Sequence, residues 1–330
     1  MNDIAAGNED RCCKTEKYEY AAKAKNPDNG DEADCGYYVK CPNTEVFARF
    51  EKSAKSQQGM AIYGDEAFLY YHGGSCDVMD LCSRRIVGHF LPESYTGEAK
   101  APMTNHANQA VFAAAPLTGE KYPPVYITAG NSGDKAADGY FGRCIVEQID
   151  HDENGYSSKI VQTIVFNDDP EAYKTSRFES PCWGWPSFIP DTENKRLYIV
   201  SARYRTKLRE YDSRNAYIIT SFRLPGLTSS KTAHKVVLTS HDIIDQFTTH
   251  YDIGATQAGT LYDGKIYYTF GFGRPDFPDG LRVFDLNKKT MICGYDFSNT
   301  CFADEEIEDC GFYKGDLLCN TNKGGIYKIT

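Results

Sequence analysis

The chain has 330 residues, 13% aromatic and 25% charged, with a formal net charge of −10. This is a globular composition with ample core-forming material. It carries no basic stripe to offset phosphate repulsion, which excludes a nucleic-acid partner, and no apolar run reaches the length of a membrane-spanning helix.

Residues 1–43 are polar, carry "NPDNGDEAD" near the middle and read as an irregular arm. No signal-peptide core follows Met1. From residue 44 onward short β-rich runs alternate with turn residues, and the nearest thing to a helix is "SHDIIDQFTTHY" (240–251). This texture predicts a sandwich, barrel or propeller.

Internal repeats choose the propeller. "QGMAIYGDEAFLYY" (58–71), "QAGTLYDGKIYYTF" (257–270) and "EDCGFYKGDLLCNT" (308–321) superpose as hairpins, with Tyr63, Tyr262 and Tyr313 before the turn. Each leads into a third strand, "SCDVMDL", "LRVFDL" and "GIYKIT". Two looser copies begin at "NQAVFAA" and "WPSFIPD", the second taking "LREYDS" as its third strand and "AYIITSF" as its fourth. Fourth strands follow every copy except the fifth. We therefore expect an all-β, five-bladed β-propeller over residues 44–330. Its last blade is completed by the N-terminal strand "TEVFARFEKS" (44–53), which locks the ring. Six blades is the runner-up and would need a blade within 225–250.

Twelve cysteines, none in CxxC spacing, argue against a zinc ribbon or thioredoxin motif. The even count and the short Cys35–Cys41 loop predict some disulfides and an extracytoplasmic, secreted or envelope-associated protein. Buried free thiols are the plainer alternative.

Topology puts the A–B and C–D turns on one face and the B–C and D–A connections on the other. The unusual residues fall on the second face, as expected where a rigid scaffold presents loops. Asn105, His106 and Asn108 precede blade 2 and can bond sugar hydroxyls, or simply satisfy backbone groups. Trp183 and Trp185 suit stacking on a sugar ring or packing between blades. His250, Tyr251 and Asp252 precede blade 4. Gln58, Gln257 and Glu308 share one repeat position facing the channel, where they can hold a ligand or a cation, or order water. Arg203 is a candidate anion contact, and His72 stands near the mouth. No metal site and no cofactor motif is visible. GxSxG, HExxH and P-loop signatures are absent, so the reading leans against an enzyme. If there is one, Asp252, Glu308 and Asp309 are the carboxylates that could face each other across the mouth.

"SQQGMAIYGDEAFLYYHGG", "NHANQAVF", "YPPVYIT", "RCIVEQID", "IVQTIVF" and "DGLRVFDL" together resemble the propeller domain shared by receptor-binding proteins of Gram-positive phages and the TagC protein of teichoic-acid operons, over about residues 45–330. The resemblance implies a five-bladed propeller that recognises a cell-surface glycan or glycopolymer without catalysis. The alternative is a glycoside hydrolase or lyase acting on such a polymer. The stem and tail-attachment segments of the phage proteins are lacking, which favours a stand-alone relative.

Overall fold

The computed structural model describes residues 19–25, 32–50, 56–95, 107–129, 141–167, 170–181, 186–203, 216–227, 233–250 and 256–330. Five sheets make five blades in a closed ring, a five-bladed β-propeller. In chain order, β1 (Glu19–Lys25), β2 (Glu32–Lys40) and β3 (Thr44–Arg49) come first. Blade 1 is β4 (Gln57–Tyr63), β5 (Glu66–Tyr71), β6 (Ser75–Asp80) and β7 (Arg85–Phe90). Blade 2 is β8 (Ala107–Phe112), β9 (Val125–Ala129), β10 (Phe141–Asp152) and β11 (Gly155–Phe166). Blade 3 starts with β12 (Ser187–Asp191), β13 (Arg196–Ala202) and β14 (Ala216–Arg223). β15 (His234–Leu238) then joins the outer edge of blade 2 in parallel with β11, and β16 (Ile243–His250) closes blade 3 against β14. Blade 4 is β17 (Thr256–Tyr262), β18 (Lys265–Phe270), β19 (Gly280–Asp285) and β20 (Thr290–Asp296). Blade 5 is β21 (Ile307–Tyr313), β22 (Asp316–Thr321) and β23 (Gly325–Ile329), completed by β3.

The closing strand is where the repeats place it. β3 runs antiparallel to β23, with Ala48 opposite Ile326 and Val46 opposite Tyr327. Backbone bonds between Asn43 and Thr330 and from Phe50 N–H to Gly324 O extend the seam. Arg49 fixes it through Glu305 and the Tyr327 hydroxyl.

A blade inside a ring is covered on both faces, so its strands are apolar at every position rather than at every second one. β5 shows this. Ala67, Leu69 and Tyr71 pack toward blade 5, and Phe68 and Tyr70 pack toward blade 2. Five hydrophobic clusters fill the five interfaces between neighbouring blades, including the one between the last blade and the first. The hairpin turns are tight where Asp and Gly supply positive φ, as at Asp263 (47°) and Gly264 (67°).

Three expectations are corrected. The third blade takes "AYIITSFR" as its third strand and Ile243–His250 as its fourth. The stretch that looks helical in sequence is therefore largely a strand, and residues 208–213 lie outside the described residues. The region 225–250 holds no sixth blade; it supplies β15 and β16. The stretch 1–43 is not wholly irregular either: β1 and β2 pair as a hairpin, and β2 extends blade 4 in parallel with β20. Val39 enters the core between blades 3 and 4. Cys76, Cys82, Cys144, Cys310 and Cys319 are free thiols and all but Cys82 are buried, so the expected disulfides are not found among them. The side chain of Cys35 lies outside the described residues. No described helix is long and apolar enough to cross a membrane.

Candidate functional site at the channel

The innermost strands β4, β8, β12, β17 and β21 surround the channel. Four of them carry a β-bulge near their first residues. Gln58 and Gly59 together oppose the single residue Tyr70, Asn108 is an extra residue in β8, Gln257 and Ala258 oppose Thr269, and Glu308 is an extra residue in β21. Only blade 3 keeps an unbroken register here. Bulges redirect side chains and free backbone groups from the ladder. The polar residue on the next strand takes up the freed groups. Thr269 Oγ1 accepts from Ala258 N at 3.2 Å, Asn320 Oδ1 accepts from Asp309 N at 3.0 Å, and Asn320 Nδ2 donates to Gln58 O at 2.6 Å.

The bulges thus present Gln58, Asn108, Gln257 and Glu308, all buried, at the end of the channel where the D–A connections arrive. We call this the upper mouth. Gln58, Gln257 and Glu308 each fall in the bulge of their inner strand, as does Asn108. Gln58 Nε2 donates to Glu308 Oε1 at 2.9 Å, and Gln257 Nε2 donates to Glu306 Oε1 at 2.9 Å. Several amide atoms are buried without any protein partner: Gln58 Oε1, Asn108 Oδ1, and both Nε2 and Oε1 of Gln57. Burial pushes the Glu308 carboxyl well above the ordinary range, the neighbouring Glu306 adds to this, and the Gln58 amide opposes it. Burial likewise raises Glu306.

Below this set the channel is crossed. Asp309 Oδ2 accepts from Met60 N of blade 1 and from Ala110 N of blade 2, both at 3.0 Å, and its Oδ1 accepts from Cys310 N at 2.7 Å. Gln109 Nε2 donates from blade 2 to Gly259 O of blade 4. Thr269 Oγ1 donates to Glu308 O at 3.1 Å, tying blade 4 to blade 5. Innermost strands have no sheet neighbour on the channel side, so their inward N–H groups need such acceptors. Asp309 is therefore a tie across the ring. Both its oxygens are engaged by backbone N–H groups.

The other expected residues divide. Arg203 binds Glu179 in bidentate fashion, which occupies the guanidinium expected to meet an anion. His72 is exposed, and its backbone N–H donates to Ser56 O. Asn105, His106, Trp183, Trp185, Tyr251, Asp252 and the side chain of His250 lie outside the described residues. Among the residues that sequence reasoning passed over are Gln57, Gln109, Asn320 and Glu306. The "QQG" doublet is the one local signal for Gln57; the others are recognisable only once the bulges are seen. No cluster of metal-ligating side chains occurs among the described residues.

No protein-family model matches this chain, and no curated protein sequence does either. Solved structures resemble it in shape. A glutaminyl cyclase of Myxococcus xanthus aligns with a TM-score of 0.48 and 10% identity, over 87% of this chain and 95% of its own. Raptor of Chaetomium thermophilum aligns at 0.37 and 10% identity, over 85% of this chain but 21% of its own. The computationally designed Ika8 protein aligns at 0.35 and 7% identity, over 86% and 99%. Similarities at this level carry no functional argument.

Proposed function

We propose that the protein recognises a neutral, polyhydroxylated ligand, a cell-surface glycan or glycopolymer, at the upper mouth. The observation that carries this reading is the set of buried amide atoms without partners at Gln57, Gln58 and Asn108, together with the buried Glu308 carboxyl that Gln58 contacts. A buried polar atom is costly until something bonds it. Amides donate and accept, and a carboxyl whose protonated form burial favours can do both as well. Such a set matches sugar hydroxyls. It matches a phosphate poorly, because the described upper mouth brings no free guanidinium to the ring and Arg203 is engaged by Glu179. Gln58 of "QGM" and Asn108 of "NHAN", the motifs that carry the resemblance to the phage receptor-binding propellers, fall on the bulges of blades 1 and 2, and this supports the same reading. A surface glycan places the protein outside the cytoplasm.

Binding to a glycan array and to purified wall polymers tests the proposal. Gln57→Ala and Asn108→Ala should each weaken binding by about 1–3 kcal/mol, the scale of a lost buried hydrogen-bond partner. Lys288→Ala, in a turn on the opposite face, should leave it unchanged. Binding that survives both upper-mouth substitutions overturns the site. A second reading draws on Glu308 alone: burial favours the protonated form of its carboxyl, which suits a general acid. Turnover of a bound polymer that disappears in Glu308→Gln would select that reading.

A further inference from the structure

The lower mouth of the channel is built differently. It opens a cavity of about 560 Å³ between the A–B turns, a size suited to a small ligand. Its floor includes Met60, Ala110 and Cys310, the three residues whose backbone N–H groups donate to Asp309. The cross-ring tie therefore separates it from the upper mouth. Two aromatic pairs contribute to its lining. Tyr63 and Phe112, from blades 1 and 2, have ring centroids 5.8 Å apart. Tyr262 and Phe312, from blades 4 and 5, stack at 3.9 Å with planes 10° apart. Tyr262 is 42% exposed, unusual for a large aromatic side chain in this protein.

Charge selects the ligand. The described lining contains Asp191, Glu193 and Asp263 and no lysine, arginine or histidine. Asp263 is neutralised by Lys265 at 3.0 Å. Both oxygens of Asp191 accept from the neutral Asn194 in the hairpin, at 3.0 and 2.9 Å. Aromatic faces carry partial negative charge, and a cation over them is attracted most when water is displaced. From the aromatic walls, the Asp191 and Glu193 carboxylates of the lining and the absence of a lysine, arginine or histidine from the described lining, we infer that the lower mouth is a second binding site, for an organic cation of the alkylammonium class. The cationic head lies against the rings and near Asp191 and Glu193, with its apolar groups on Ile62 and Leu261.

The test uses choline as probe on the full chain, read by calorimetry or by saturation transfer from protein to choline methyl protons. The comparison ligand is the neutral isostere in which a tert-butyl group replaces trimethylammonium. Choline should bind at least about tenfold more tightly than the isostere, the upper range of a desolvated cation–π contact. Tyr262→Ala should remove most of this preference, Tyr262→Phe should keep it, and Glu193→Gln should weaken choline a few-fold. Because Tyr262 is exposed, its variants are expected to fold, and their thermal transitions check this. Equal binding of choline and isostere would make the cavity merely apolar and overturn the inference. So would absence of choline binding at millimolar concentration. Loss of choline binding in Asn108→Ala with retention in Tyr262→Ala would move the cation to the upper mouth and equally overturn it.

Discussion

Gly59 sits where the inner strands of blades 1 and 2 pack backbone against backbone. A Cβ there would lie 2.9 Å from both Ala107 O and Ala110 N, and backbone atoms cannot swing aside. Ala110 N is also one of the donors to Asp309, so separating the strands would strain the tie across the ring. Gly59→Ala should therefore destabilise the protein by about 1–3 kcal/mol, the usual cost of overpacking. The urea midpoint should fall with an unchanged m-value, and an unshifted midpoint would refute so close an approach. At this scale the sequence is informative where chemistry repeats. Gln58, Gln257 and Glu308 stand out because three hairpins superpose. It is silent where one residue serves distant partners. Asp309 beside Glu308 looks like half of a carboxylate pair, yet its donors at Ala110 and Met60 are 199 and 249 positions away. No local pattern contains them.

The strand added from the N-terminal side makes a prediction for elements. Removing residues 1–40 takes Val39 out of the core between blades 3 and 4 and uncovers the edge of β20. Removing residues 1–53 also deletes β3, which exposes the edge of β23 and breaks the Arg49 contacts to Glu305 and Tyr327. Two steps of lost thermal stability are expected, the second larger and accompanied by aggregation through the freed edge. Equal melting of both truncations would refute closure by β3. Blades 1, 4 and 5 are legible in sequence because short turns keep their hairpins contiguous. Blade 3 is not. Its fourth strand follows a long excursion through β15, and Ile243, Ile244 and Phe247 have helical spacing. Pairing with β14 overrides that local period, as tertiary context commonly does. β1 and β2 escape notice because their sequences, "EYAAKAK" and "EADCGYYVK", carry no sustained alternation of apolar and polar residues.

For the whole molecule, the buried carboxyls set the response to pH. Burial raises Asp279 from its ordinary 3.8 to about 8, against the opposing backbone N–H groups of Gly273 and Ile307. Burial raises Glu147, Glu306, Glu308 and Asp309 as well. In each case the native state holds a proton that the unfolded chain releases at lower pH. Stability should then fall as pH rises from about 4 to about 8. Surface aspartates such as Asp65 and Asp80 are lowered, so their opposite effect is confined to pH below that window. Thermal melts across the window check the sign. Asp279→Asn should show a shallower slope than the wild type, even though one backbone N–H loses its acceptor and the variant melts lower overall. A flat profile in the wild type would mean these acids are ionised in the native state. The seam between β3 and β23 governs the order of events during synthesis. Arg49 and Tyr327 are 278 residues apart. At ordinary translation speeds Thr44–Arg49 leaves the ribosome on the order of tens of seconds before its partner exists. Until then every nascent form is an open arc with β3 unpaired and no fifth blade to receive it. Blades can pack in sequence behind it, but the clasp shuts only once β23 has emerged, so the cell must guard one lone strand through nearly the whole making of the ring.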